Sequence, residues 1–278
     1  MEYYSFIAGL PEINADDSKC PLTLATLKAD IEENVSPKDL KDLALFYYRF
    51  DNQNLCHLLF QPEAEWQALG SLSREEMEDF ISFAKDGKIH QDEHLPPYFA
   101  EFITAYYADS PIYPELSWAD QLSTLYYLHA LTSPNKFIQS YFEFNLNFQN
   151  VLLATAARKH HIDLSKVVIG NNEVAENIKN NNSKDFGIAP MFPYVEETLR
   201  IEDSSSPLER EQKIDALRWK WIEDNTVFHY FSKEYIFGFM LKLEMLERWL
   251  KLDVEQGQKA FGQYVKELVD AVEINIIS

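Results

Sequence analysis

The hydrophobic positions of this chain recur at the spacing of an α-helix over most of its length. The clearest case is the segment 235–252, where Phe239, Leu243, Leu246 and Leu250 follow one another at steps of four, three and four residues. Positions with this spacing lie on one face of a helix. The pattern therefore predicts an amphipathic helix with one apolar stripe.

Charged residues of the same segment are spaced for pairing along the helix. Glu244 precedes Arg248, and Glu247 precedes Lys251, by four residues each. Opposite charges at this spacing are neighbours on a helix surface, and the acidic member here takes the favourable N-terminal position. We expect two ion pairs within the helix.

Start signals divide the rest of the chain into further helices. Serine followed by proline combines an N-cap residue with a first-turn proline, and it occurs at 36–37, 133–134 and 206–207. Ser73 and Glu76 are spaced as a capping box. The predicted helices cover about 21–34, 37–50, 51–60, 73–87, 96–107, 117–132, 134–146, 147–160, a short stretch inside 171–187, a start at 206–207, 235–252 and 254–273.

Strand-like sequence is confined to YYSFIAGL at 3–10 and VVIG at 167–170. Glycine numbers 8 in 278 residues, fewer than a fold with many tight turns requires. The predicted class is all-α, an elongated bundle of repeated helical units joined by helix–helix corners. We predict one domain over 1–278, with repeat units at about 20–110 and 117–200 and a C-terminal bundle at 206–278.

An internal repeat supports this architecture. FYYRFDNQNL at 46–55 aligns with FEFNLNFQNV at 142–151, a spacing of 96 residues. A repeat of this kind indicates one supersecondary unit used twice. The matched pairs are Phe46 with Phe142, Phe50 with Leu146, Asp51 with Asn147, Gln53 with Gln149, Asn54 with Asn150, and Leu55 with Val151.

The repeated motif predicts a corner between two helices. Asp51 in one copy and Asn147 in the other are expected to end one helix and to N-cap the next. The carboxamides that follow would hydrogen-bond the backbone of a neighbouring helix. The functional alternative is a carboxamide-rich binding site.

Composition limits the classes of partner. The chain carries 45 acidic and 25 basic residues, a net charge of −20, which disfavours nucleic acid and anionic lipid. An unrelated acidic scaffold that attracts a basic protein is one reading of this charge. Cys20 and Cys56 form no disulfide framework, which suits a reducing cytosol. The start MEYYSFIAGLPEI lacks the features of a signal peptide, and no apolar run reaches the roughly 20 residues of a membrane span.

The strongest candidate for catalysis is His90-Gln-Asp-Glu93-His94, which matches the H-x-x-E-H zinc motif. In a zinc hydrolase the two histidines would bind the metal and Glu93 would act as general base. Gly87 before it and the prolines at 96–97 after it leave about two helical turns, in a polar surrounding, so a solvent-exposed loop is the simpler interpretation.

Other candidate side chains favour structural roles. His160 and His161 lie at a predicted helix end, where cations complement the dipole, and His57 lies on an apolar face as a hydrogen-bonded core or rim residue. No Walker A loop and no GxGxxG occur. The tryptophans of Arg218-Trp219-Lys220-Trp221 flank a helix face that is expected to pack in the core. The alternative is an exposed tryptophan pair on which a partner helix would lie. We predict no catalytic residue, no cofactor and no metal.

The Asp51-x-x-Asn54-Leu55 motif after a tyrosine-rich helix resembles the V/A-type ATPase subunit called C in prokaryotes and d in eukaryotes. The opening Tyr3-Tyr4-Ser-Phe-Ile-Ala-Gly and the segment NVLLATAARKHHID at 150–163 are similar to stretches of that family. So is 235–244, with Tyr235 at its start and Glu244 nine positions on. The chain also looks like a bacterial family of unknown function, encoded beside V-type ATPase subunits and beginning YYxFIAGLPxI.

This resemblance implies a non-catalytic coupling subunit of a bacterial V-type ATPase. Subunits of that type sit between the membrane proteolipid ring and the central shaft and transmit torque. It further implies a cytoplasmic protein, peripheral to the inner membrane through the complex, whose partners are the shaft and the ring.

Overall fold

The computed structural model describes residues 3–61, 63–85 and 95–252, and every regular element in these ranges is a helix. The all-α prediction is therefore confirmed for the described residues, and the predicted helix at 254–273 lies outside them. The helices are α1 (Tyr4–Ala8), α2 (Leu24–Asn34), α3 (Pro37–Phe60), α4 (Arg74–Lys85), α5 (Phe99–Tyr107), α6 (Trp118–Leu131), α7 (Lys136–Lys159), α8 (Glu173–Asn180), α9 (Val195–Ile201), α10 (Pro207–Thr226) and α11 (233–252), with a 3₁₀ turn at Leu164–Lys166.

Helix starts agree closely with the capping signals. The hydroxyls of Ser36 and Ser206 accept hydrogen bonds from the backbone N–H groups of Asp39 and Glu209, three residues ahead, at 3.3 and 3.1 Å, and a proline follows each serine. The start expected at 133–134 is displaced slightly, because Asn135 caps α7 with its side chain instead. Local cap chemistry thus fixes where these helices begin.

Neither of the two β-like segments forms a strand. Residues 3–10 include helix α1. The Tyr3 N–H before this helix donates to the carbonyl of Phe231, in the segment that precedes α11, at 2.6 Å. Residues 167–170 form no strand. The peptide of Ile169 is hydrogen-bonded by the side chain of Asn150 and not by a neighbouring strand.

The helices follow one another in a repeated order. Helices α2 to α5 have 11, 24, 12 and 9 residues, and α6 to α9 have 14, 24, 8 and 7 residues. A third pair of consecutive helices follows, α10 and α11, each of 20 residues. In each case the two pack together: Lys28 lies 5.0 Å from the Tyr47 ring, Tyr126 lies 5.4 Å from Phe142, and Lys242 lies 4.3 Å from the Trp219 ring.

The corners predicted at Asp51 and Asn147 do not exist. Both residues lie inside uninterrupted helices of 24 residues, α3 and α7. The apolar faces continue past them, through buried Leu55 in one helix and Val151 in the other. An aspartate or asparagine inside a helix costs about 0.5–0.7 kcal/mol, whereas each large apolar side chain buried gains about 1.5–3 kcal/mol. Burial of a continuous face therefore outweighs the local preference for a cap.

Phe237 of α11 sits where the long helices meet, and none of its surface is exposed. Its ring lies 6.3 Å from Phe46 of α3, and 5.7, 6.1 and 6.4 Å from Tyr141, Phe142 and Phe137 of α7, mostly edge to face. One aromatic cluster therefore joins all three long helices. Among the described helices, none is both long enough and apolar enough to cross a membrane.

Helix α11 confirms its predicted apolar stripe but not its predicted ion pairs. Phe239, Leu243 and Leu246 are buried, and Leu250 packs against them. The acidic residues instead reach other elements. Glu244 pairs with Arg49 of α3, and Glu247 accepts a hydrogen bond of 2.5 Å from the backbone N–H of Leu24 at the start of α2. Tertiary partners thus replace the intrahelical ones.

Candidate functional site

The first copy of the repeat fastens the segment after α3 back onto that helix. The Asn54 side chain accepts a hydrogen bond of 2.8 Å from the Gln67 N–H and donates one of 3.0 Å to the Gln67 carbonyl. One turn earlier, Asp51 accepts from the backbone N–H groups of Ser71 at 2.7 Å and Leu72 at 3.2 Å. Both side chains are fully buried. They satisfy a loop backbone that has no secondary-structure partner.

The second copy of the repeat likewise holds the segment after α7 against that helix. Asn150 accepts from the Ile169 N–H at 3.0 Å and donates to the Ile169 carbonyl at 2.8 Å. Asn147 accepts from the side chain of Asn172, the N-cap of α8, at 2.8 Å. The predicted bonding of carboxamides to a neighbouring backbone is thus confirmed in kind, although the partner is a following loop. We call these two arrangements the clamps.

Each clamp holds a glycine whose carbonyl accepts from a lysine. A Cβ on Gly70 would lie 2.6 Å from the Asp51 carboxylate, and Gly170 has φ of +83°. The Lys28 ammonium donates to the Gly70 carbonyl at 2.8 Å, and Lys179 donates to Gly170 at 3.3 Å. Close approach in one copy and a left-handed backbone in the other require glycine. The clamps are therefore structural units with matched parts.

Between the long helices lies a cleft of about 380 Å³. Five helices form its wall, and the surface is mixed, with tyrosines, carboxamides and arginines beside aromatic rings. Its size is within the usual range for a small-molecule site. The polar lining residues are Arg49, Asn52, Gln53, Ser123, Tyr126, Tyr127, Tyr141, Asn145, Gln149, Asp215, Arg218, Glu244 and Arg248.

The cleft is lined by equivalent positions of the repeat. Gln53 and Gln149, matched across the 96-residue spacing, both face it, and so do Arg49 and Asn145 at the same spacing. The carboxamides of each motif therefore divide their roles: Asn54 and its counterpart hold loops, whereas the glutamines line a shared space. This geometry favours the binding-site alternative for the glutamines.

Three of the seven arginines of this acidic chain line the cleft. Arg49 lies 2.5 Å from Glu244, the position singled out by the family resemblance, and its guanidinium stacks 4.3 Å from the Phe46 ring. Arg248 is paired with Asp215. Arg218 lies 3.7 Å from the same Asp215, too far for a hydrogen bond. Three guanidinium groups in the wall thus face two carboxylates.

The tyrosines of the cleft are neutral hydrogen-bonding groups. Tyr126 donates to the Leu45 carbonyl at 2.8 Å, and Tyr127 accepts from Asn145 at 2.7 Å. Burial raises the pKa of the Tyr126, Tyr127 and Tyr141 hydroxyls, although nearby arginines oppose this. Phenols in this state can donate to an oxygen atom of a ligand.

The Cys56 thiol offers no nucleophile near neutral pH. Cys20 and Cys56 are unpaired and partly buried. Cys56 lines the cleft, and burial raises the pKa of its thiol to about 11. The reactive form of cysteine is the thiolate, so Cys56 stays protonated.

The histidine predictions have different outcomes. His160 and His161 lie exposed at the end of α7, as predicted. His57 is half-buried in α3, but its Nδ1 atom makes no hydrogen bond among the described residues, so the expected bond is missing at that atom. The zinc motif of His90, Glu93 and His94 lies outside the described residues. In the part of the chain that is described, no group of three metal-binding side chains comes together.

The expected packing of the Trp219 and Trp221 face is confirmed, and the alternative of an exposed tryptophan pair is wrong. Trp219 and Trp221 are both buried; Trp219 donates to Glu223 at 2.9 Å, and the Trp221 ring stacks on Phe144 at 5.1 Å. Residues two positions apart, such as Trp219 and Trp221, lie on nearly opposite sides of a helix. Both are buried because other parts of the protein cover α10 on both sides. Exposed aromatic side chains lie instead in the next turn, where Phe228 is 88% exposed.

The sequence alone did not locate the cleft. Arg49, Arg218 and Glu244 come from three distant helices, and local spacing relates none of them. The repeat was the one sequence signal that pointed to the cleft. It aligns Arg49 with Asn145 and Gln53 with Gln149, and all four side chains line the cleft.

The fold and site define an all-helical protein with a duplicated clamp around a polar cleft. Residues 1–273 match the model of the family described as "Protein of unknown function (DUF2764)", and the chain belongs to that family. No curated protein and no solved structure matches it.

Proposed function

We propose that this protein is a non-catalytic coupling subunit of a bacterial V-type ATPase, docked between the membrane proteolipid ring and the shaft. The proposal places it in the cytoplasm, peripheral to the inner membrane through its partners. It rests on the resemblance of the Asp51-x-x-Asn54 motif and the opening residues to the C/d subunits.

The observation that supports this role best is the duplicated clamp. A part that transmits torque has to resist deformation along its length. Each clamp joins a 24-residue helix to the loop that follows, with both the N–H and the carbonyl of one peptide held by one asparagine. A buried network with its partners satisfied stiffens the structure around it. The aromatic cluster at Phe237 adds a packed joint between the long helices.

The test is co-purification from native membranes. The full chain, tagged and expressed at its natural level, should recover proteolipid-ring or shaft subunits identified by mass spectrometry. Ring or shaft subunits should be recovered after washing at both low and high salt concentration. A contact that transmits torque cannot depend on surface charge alone, which salt would screen. A tagged soluble protein of similar acidity serves as the control.

Two results would count against the proposal. One is recovery of neither ring nor shaft subunits. The other is a strongly salt-dependent complex with a protein unrelated to the ATPase, because that outcome favours an acidic scaffold. Bound zinc in the purified chain, lost in H94A, would instead favour a hydrolase based on the motif at 90–94.

A further inference from the structure

Arg218 carries a positive charge that the wall of the cleft does not fully neutralise. Its nearest carboxylate is Asp215 at 3.7 Å. The Oδ2 atom of that carboxylate pairs with Arg248 and accepts a hydrogen bond of 2.8 Å from the Trp249 indole, whereas its Oδ1 atom, the one nearest Arg218, makes no hydrogen bond among the described residues. Glu244 is likewise taken by Arg49. Three arginines and two carboxylates line the cleft, a net charge of +1, and Arg248 also lies 3.5 Å from Glu211 outside the lining.

The surroundings of Arg218 suit a bound oxygen anion. Its guanidinium lies over the Phe148 ring, 5.5 Å from the ring centroid. Its Nε–H is buried without a hydrogen-bond partner among the described residues. Buried polar groups in folded proteins nearly always have partners, so unpaired ones at a cleft suggest that a ligand supplies them. The Tyr127 and Tyr141 hydroxyls face the same space.

We propose that the cleft binds a single carboxylate group, held by Arg218 and the neighbouring phenols, with an apolar body against the aromatic wall. A carboxylate matches the one surplus charge, whereas a phosphate dianion would exceed it. Guanidinium is also the group best shaped to hold a carboxylate by two hydrogen bonds. This proposal does not depend on the coupling role.

Benzoate is the probe and benzamide its neutral counterpart of nearly equal shape. Isothermal titration calorimetry on the full chain should show benzoate binding with a dissociation constant on the order of 1 mM, as expected for so small a ligand. Benzamide should bind at least tenfold more weakly. Replacement R218Q should weaken benzoate binding at least tenfold, whereas R74Q should not change it, because Arg74 pairs with Glu78 on α4, away from the cleft.

A second variant guards against misfolding of R218Q. Y141F keeps the ring and removes one donor, and it should weaken benzoate binding severalfold. Equal binding of benzoate and benzamide, no binding of benzoate, or unchanged binding in both cleft variants would overturn the proposal.

The same measurement identifies the source of the carboxylate. A tripeptide ending in phenylalanine with a free carboxylate is compared with its C-terminal amide. Binding of the free peptide well above that of benzoate would assign the site to a protein terminus. Benzoate binding that equals or exceeds the peptide's would assign it to a small organic acid.

Discussion

The side chain of Asn150 pairs with both backbone groups of Ile169, accepting at 3.0 Å and donating at 2.8 Å, as Asn54 does with Gln67 in the first copy. One carboxamide thus replaces a strand partner for a buried peptide. An asparagine is required because a single side chain has to supply one acceptor and one donor at adjacent positions.

Replacement of Asn150 by alanine leaves the Ile169 peptide buried and unpaired. We expect the free energy of unfolding to fall by about 2–4 kcal/mol, since each unsatisfied group costs roughly 1–3 kcal/mol. The matched control is N180A, because Asn180 is exposed and bonds only within α8. Urea denaturation measures both variants. A loss in N150A no larger than in N180A would show that the clamp adds nothing to stability.

Asp51 should make stability fall as pH rises. Burial raises its pKa to about 6, although hydrogen bonds from Leu72 and Ser71 oppose the shift, and its ordinary value is 3.8. The folded state therefore binds more protons than the unfolded state between these values. Compared with D51N, which mimics Asn147 of the second copy, the native chain should lose about 2–3 kcal/mol of relative stability between pH 4 and pH 7.5. A difference that stays constant over this range would contradict the prediction.

Asp39 should have the opposite effect. Burial raises its pKa, but hydrogen bonds from Lys233, Tyr3 and Ser36 outweigh burial and lower the pKa to about 2. Its stabilising contribution is present above about pH 4 and is lost as pH falls towards 2. We expect the native chain to exceed D39N by about 1–2 kcal/mol at pH 6, allowing for partial solvent screening, and by less at pH 3. Urea denaturation at the two pH values tests this, and an advantage that grows on acidification would refute it.

Two phenylalanines near the start of α11 should differ sharply in their effect. F237A removes the ring that joins α3, α7 and α11, and a loss of about 3–5 kcal/mol is expected from the cavity. F228S changes a side chain that is 88% exposed and should stay within about 0.5 kcal/mol of the native chain. Thermal unfolding followed by circular dichroism compares the pair. A similar loss of stability in F237A and F228S would show that Phe237 does not belong to the stabilising core.

The sequence by itself determined the helical class, the caps at Ser36 and Ser206, and the repeat. Ser36 before Pro37 fixes the start of α3 because cap bonds are local, and the stripe through Leu243 and Leu246 follows from helix periodicity alone. The 96-residue spacing marked the clamp residues correctly, even though it assigned them to corners.

Only the tertiary structure decided how those residues are used. Asp51 continues a helix because burial of the surrounding apolar face outweighs its weak preference for a cap. Glu244 joins Arg49 and not Arg248, since an intrahelical pair is worth only about 0.2–0.5 kcal/mol and a partly buried arginine on another helix requires a partner. The cleft is likewise a tertiary feature, because its charged residues come from helices whose contact cannot be read from local sequence.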